Sequence, residues 1–313
     1  MLKKMIMCAV ISLTSYANCN SSLQAMLKEG QEELNIDNKY VSQNYRARGG
    51  KKAKVLILHC VGLSDEWVFQ NYVLPSGKGG LGVSAHHYLP QSGKIYQLVS
   101  EDESALHAGV SEWRSLAEKN GLKGLNDISI GIEFQSPGYG QIEEKTYFPF
   151  SFQPFQPEQT KLGILLSQRI MKAHGIDPEN VVWHSDVSPG RKTDPGPLFD
   201  GKEFAKNGIG VWPKSNRVKD SQLEITLSKI QKQLMSWGYP NVKQTGDLDE
   251  LTKYVLQAHY MHYLPSKINW KSFQGQPSGT VFNGVKEWKE FPYDTDELAI
   301  SLENLNGRHF ETF

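Results

Sequence analysis

Cysteine is nearly missing from this chain: Cys8, Cys19 and Cys60 are the three in 313 residues. That is too few for a disulfide framework, and no Cys-x-x-Cys pair is present to build a cysteine zinc site. An excess of charge is missing as well. The 34 basic residues balance the 34 acidic ones, which argues against nucleic acid as a partner, because phosphate backbones select a basic protein face. No apolar run is long enough to cross a bilayer as a helix, and no internal repeat or low-complexity tract is seen. What is left, 39% hydrophobic and 22% charged, is the composition of a globular protein with one large domain or two smaller ones.

The chain opens MLKKMIMCAVISLTSYANCNSS. Lys3 and Lys4 precede an apolar run from Met5 to Thr14, and Ser15-Tyr16-Ala17 offers small residues at both ends of a cleavage site. This is the pattern of a secretory signal over 1–17. The expectation is export to the periplasm, with the mature protein there, attached to an outer membrane or secreted. Cys19 would carry a lipid only under lipoprotein processing, which Tyr16-Ala17-Asn18 matches poorly. Cys8 departs with the signal. An exported chain could join Cys19 to Cys60, but nothing in the sequence favours that pair.

Further along, KVLILHC (54–60) is a β-branched apolar run and predicts a buried strand ending near His59. VSAHHYL (83–89) and KIYQLVS (94–100) flank Gln91-Ser92-Gly93 and predict a hairpin. DISIGIEF (127–134) reads as another strand. Residues 157–175 begin with Pro157, carry Leu162, Leu165, Leu166 and Ile170 at helical spacing, and end at Gly175. NVVWH (180–184) is a last short strand. Strands interleaved with helices, some of them hairpin-linked, predict an α/β fold with a mixed central sheet. Beyond Trp212-Pro213 the texture changes: 221–239 and 248–264 space their apolar residues by threes and fours, two core-facing helices, and 294–306 adds a third.

The polar chemistry concentrates in HSDVSPGRKTDPG (184–196). Its prolines and glycines make it a loop, and loops on a rigid scaffold are where functional groups gather. His59 and His184 stand at strand ends, and Asp194 follows ten residues after the second. Two imidazoles and a carboxylate would suit a catalytic zinc, which takes three protein ligands and leaves one position open. On spacing alone each histidine reads more readily as a satisfied polar residue, and Asp194 as a turn former. His259 and His262, one helical turn apart, read as packing or a solvated face, and Cys60 as core.

VSAHHYLPQSGKIYQLVSEDESALHAG, NDISIGIEFQSPG and VVWHSDVSPGRKTDPGPLF together resemble the amidase-2 family, the zinc N-acetylmuramoyl-L-alanine amidases, which share a fold with peptidoglycan recognition proteins. The likeness covers roughly residues 50–212. It implies one zinc ion held by His59, His184 and Asp194, with Glu133 handling the proton and Lys192 facing the developing oxyanion. His86 and His107 also match the family's pattern; the resemblance implies His86 near the site as a structural or substrate-side group, and His107 either lining the substrate cleft or in a buried hydrogen-bonding role. Trp183 departs from it, standing where a small residue is usual before the second histidine. The C-terminal helices resemble a three-helix peptidoglycan-binding module, with a structural buttress as the other reading. The expected organisation is thus a signal (1–17), a catalytic domain (18–215) and a helical module (216–313), working as a monomer on peptidoglycan or muropeptides. Two alternatives are carried: a non-catalytic peptidoglycan sensor, in which zinc ligands are usually lost, and a cysteine peptidase using Cys60.

Overall fold

The structure is a computed structural model and describes residues 34–136, 154–216, 225–267 and 295–313. The signal segment, Cys8 and Cys19 lie outside them. Two compact units divide the chain, Met1–Asn35 and Ile36–Phe313; every element below belongs to the second.

Eight strands are present among the described residues: β1 (Ile36–Asp37), β2 (Tyr45–Ala47), β3 (Val55–Val61), β4 (His87–Leu89), β5 (Ile95–Gln97), β6 (Glu103–Ala105), β7 (Ser129–Gln135) and β8 (Val181–Trp183). Six of them form one sheet in the order β1-β5-β4-β7-β3-β8, and β2 pairs with β6 apart from it. Neighbours β4, β7, β3 and β8 run parallel, while β4 and β5 form the expected antiparallel hairpin. The sheet is therefore mixed, and its central strands β3 and β7 are buried along almost their whole length. That burial is why KVLILHC reads as a continuous apolar run and not an alternating one.

The helices are α1 (Asp65–Val73), α2 (Leu116–Lys119), α3 (Pro157–His174), α4 (His184–Val187), α5 (Gly201–Lys206), α6 (Leu227–Trp237), α7 (Glu250–Tyr263) and α8 (Asp296–Asn306). α3 has the predicted ends: Pro157 at its start and Gly175 closing it in the left-handed region at φ 65°. It packs on the sheet through Ile164, Leu166 and Ile170, all fully buried, each contributing roughly 1.5–3 kcal/mol of apolar transfer. α1 carried no sequence signal. It covers the opposite face, where Val68 and the partly buried Trp67, Phe69 and Tyr72 join a cluster with Val61, Tyr88 and Tyr96. One detail differs from the expectation for NVVWH: the strand stops at Trp183, and His184 is the first residue of α4.

α6, α7 and α8 are the three C-terminal helices, each N-capped by a side chain, Thr226, Asp249 and Thr295. Their core includes His259, whose Nε2 lies 3.0 Å from Ser301 Oγ, so this histidine packs and bonds inside the bundle. No described helix is long and apolar enough to cross a membrane.

Candidate metal centre

Register assembles the site. β3 pairs in parallel with β7 so that His59 lies opposite Glu133, and with β8 so that Leu58 lies opposite Trp183. His184 follows Trp183 directly, so His59, Glu133 and His184 end up at the carboxyl ends of three adjacent parallel strands, where α/β sheets place their sites. The loop after α4 then returns Asp194, held at its backbone by the N–H of Ser185 donating to Asp194 O at 3.0 Å.

His59 Nδ1 and His184 Nδ1 are 2.9 Å apart, and Asp194 Oδ2 is 3.0 Å from the second and 3.4 Å from the first. All three residues are buried. Each imidazole is anchored through its other nitrogen. His184 Nε2 lies 3.3 Å from Ala108 O, and His59 Nε2 lies 2.9 Å from His107 Nδ1. Arg191 Nη2 also approaches His184 Nε2, at 3.3 Å, but it has nearer acceptors in Ala108 O and Ser188 Oγ. The consistent assignment is that each Nε2 carries the proton and donates it outward, leaving both Nδ1 lone pairs facing each other and a carboxylate. Three acceptors pressed together without a proton between them repel unless a cation joins them. Tetrahedral zinc with N and O ligands at about 2.0–2.2 Å separates those ligands by roughly 3.3 Å, close to the spacing here. The donor set fits the metal that the sequence implies.

Protonation states agree. Burial, then His184, lowers the His59 pKa to about 4, and burial holds His184 below its ordinary value against the pull of Asp194. Burial alone would raise the Asp194 carboxyl; its neighbours His184, then His59, and the Lys192 ammonium outweigh it and hold the group ionised, well below its usual range. Two neutral imidazoles and one carboxylate suit a divalent cation.

Glu133 stands beside this centre. Burial, then the charge of Asp194, raises its carboxyl to about 8, opposed by Lys192 and by a hydrogen bond from Tyr72. Tyr72 Oη donates to Glu133 Oε2 at 3.2 Å. Lys192 is half-buried, and its charge is felt at Glu133, Asp194, His59 and His184 alike. Cys60 alternates to the other side of β3, where its thiol donates to Pro195 O at 3.5 Å. Burial, then Asp194 and Glu133, pushes that thiol well above its ordinary pKa, the opposite of a nucleophile's environment.

The comparisons with known proteins now decide the family. The family model described as N-acetylmuramoyl-L-alanine amidase, Amidase_2, matches residues 49–197. The N-acetylmuramoyl-L-alanine amidase AmiD of Escherichia coli (strain K12) is 38% identical over 200 residues, covering 60% of this chain and 68% of that protein. The chain belongs to the N-acetylmuramoyl-L-alanine amidase family. Haemophilus influenzae supplies a further relative, the 1,6-anhydro-N-acetylmuramyl-L-alanine amidase AmpD, 30% identical over 165 residues, 48% of this chain and 79% of that protein. The solved complex of E. coli AmiD with anhydro-N-acetylmuramic acid-L-Ala-D-gamma-Glu-L-Lys superposes with a TM-score of 0.60 at 28% identity, over 87% of this chain and 93% of that one.

Within this amidase, His86 and His107 are both held by hydrogen bonds to other protein groups. His86 is fully buried; its Nδ1 accepts from Gly131 N at 3.0 Å, and its Nε2 lies 2.9 Å from Arg48 Nη2 and 3.0 Å from Glu103 O. No side of it is left for a substrate. His107 is half-buried and supports His59 from below, its Nε2 lying 3.1 Å from Ser129 Oγ, which donates on to Leu125 O at 2.8 Å. This chain of hydrogen bonds fixes which nitrogen of His59 faces the centre. Sequence reasoning missed Tyr72 altogether. It lies on a helix without strong apolar periodicity, and its link to Glu133 spans 61 residues.

Proposed function

We propose that this amidase binds one zinc ion through His59, His184 and Asp194 and hydrolyses the amide between N-acetylmuramic acid and L-alanine, with soluble anhydro-muropeptides among its substrates. The observation that carries the reading is the convergence of three buried donor atoms within 3.4 Å beside a carboxyl whose pKa is raised to about 8. AmpD is named as an anhydro-muramyl amidase, and AmiD was solved with an anhydro-muropeptide; both support the substrate class.

Bound zinc would supply Lewis acidity, polarising the amide carbonyl and lowering the pKa of water. Glu133 takes the proton of the attacking water and returns one to the departing L-alanine amine. A group that titrates near neutrality does both well. Tyr72 holds the Glu133 carboxyl in place through Oε2. The Lys192 ammonium stabilises the oxyanion that develops at the lactyl carbonyl. His107 and the Ala108 carbonyl keep the two imidazoles in the tautomer that leaves Nδ1 free.

Export through the 1–17 signal to the periplasm, action as a monomer, and a catalytic domain (18–215) followed by a wall-binding helical module (216–313) belong to the same proposal. The structural likeness to AmiD, reaching 87% of the chain, supports counting the C-terminal helices as part of the shared architecture.

The test is metal analysis of the purified protein together with mass spectrometry of products from soluble anhydro-muropeptides and from intact sacculi. One equivalent of zinc and release of free stem peptide are expected. Zinc without released peptide would instead establish a sensor. Glu133→Ala should keep the metal and lose at least 100-fold in kcat, whereas His184→Ala should lose both.

A further inference from the structure

Asp186 is buried on α4, two residues after His184. A carboxylate in that position has to be paired or fully hydrogen-bonded. Its Oδ2 accepts from the backbone N–H of Trp183 and from His262 Nδ1, both at 2.8 Å. The Tyr239 hydroxyl donates to its Oδ1 at 3.4 Å. Both side-chain donors come from the C-terminal helical segment: His262 from the last turn of α7, Tyr239 from just beyond α6.

The same histidine grips the neighbouring side chain. Its ring stacks on the Trp183 indole, with centroids 4.1 Å apart and planes within 9°. The residue immediately before the ligand His184 is thus held twice, at its backbone through Asp186 and at its side chain through His262. Gly201 makes room for the indole, since a Cβ there would come within 2.9 Å of Trp183 Cζ2. Nearer its start, α7 meets the loop again: the Tyr254 ring lies so close to Gly190 that a Cβ at Gly190 would approach it to 2.5 Å. Gly190 lies between His184 and Lys192 in the chain. One helix therefore bears on the site-bearing loop at two points.

We infer that α7 is a positioning element of the metal centre, and that His262, acting through Asp186 and Trp183, sets the orientation of His184. The indole that departs from the family's small residue and the histidine that spacing alone assigned to packing or a solvated face become two halves of one clamp. His184 Nδ1 has to meet both His59 Nδ1 and Asp194 Oδ2 within 3.0 Å, so a slight rotation of the Trp183–His184 peptide separates the donors. The clamp removes that freedom before any metal arrives. His262 touches neither metal nor substrate; it is a positioning residue, and the inference rests on the zinc reading above.

The experiment separates ring from hydrogen bond in the full-length protein. His262→Phe keeps the stacked ring and deletes the donor to Asp186; His262→Asn keeps a donor and deletes the stack. Zinc affinity is measured by competition with a chelator, with Tm recorded for each variant in chelator and in zinc, and kcat and KM on a soluble muropeptide at saturating zinc. Loss of such an outer partner typically weakens metal binding 10–100-fold. His262→Phe is expected to fall in that range and to lower kcat while leaving KM near wild type, and His262→Asn to recover most of the affinity. Variants that lose Tm in chelator yet bind zinc and turn over like wild type would show a purely structural contact and overturn the inference. A wild-type protein that takes up no zinc would refute the metal reading instead, so the two failures are told apart.

Discussion

At the scale of the residue, the site is governed by what burial does to protons. Glu133 has its carboxyl raised from 4.5 to about 8 by burial and then by Asp194. Without metal, the native state keeps a proton there that the unfolded chain has released, so stability falls as pH rises from 4.5 through 8. His59 acts on the other side. Its pKa is lowered from 6.5 to about 4 by burial and then by His184, so the unfolded chain takes up a proton that the native state refuses, and stability falls as pH drops from 6.5 through 4. Zinc-free Glu133→Gln should therefore be more stable than zinc-free wild type at pH 8, by a few kcal/mol at about 1.4 kcal/mol per pKa unit, and near equal to it at pH 4. Urea unfolding at both pH values in chelator measures this. A gap that does not change with pH would mean that Glu133 titrates in the folded protein as it does in water.

At the scale of the element, the centre depends on how closely β7 lets a histidine approach. A Cβ on Gly131 would fall 2.5 Å from His107 Nδ1, the atom that receives the His59 proton at 2.9 Å. Gly131→Ala should displace His107, cost about 1–3 kcal/mol as an overpacked core, and weaken zinc binding through the misaligned His59. Thermal melts in chelator and in zinc distinguish the two effects: overpacking alone lowers both curves equally, whereas damage to the ligand geometry also shrinks the gain from metal. Much of this level was legible. Pro157 and Gly175 marked the ends of α3, and the apolar runs marked β3 and β7. α1 was not legible, because its buried contacts come from one side of a short helix whose sequence lacks a strong apolar stripe. With α1 went Tyr72, the partner of Glu133.

At the scale of the whole molecule, residues 36–313 form one compact unit, and the C-terminal helices meet α4, the helix that begins with His184, through a buried carboxylate–histidine contact, His262 Nδ1 on Asp186 Oδ2. Saturation with zinc at one hundred times its dissociation constant should stabilise this unit by about 2.7 kcal/mol. The expected readout is a rise in Tm on adding zinc that is absent from His184→Ala. An equal shift in that variant would place the stabilising metal elsewhere.

By itself the sequence determined the main segments of the sheet, the long helix α3 and the C-terminal helices, and most of the side chains that carry chemistry: the periods of apolar residues, the proline and glycine punctuation, and a stretch holding histidine, lysine and aspartate are all local, written among near neighbours. Only the tertiary structure decided that His59 and His184, 125 residues apart, face one another, that His86 sinks beneath the site, and that a distant helix steadies Trp183. Parallel pairing sets these relations. Its register is fixed by packing between segments far apart in the chain, and no short window of residues contains it.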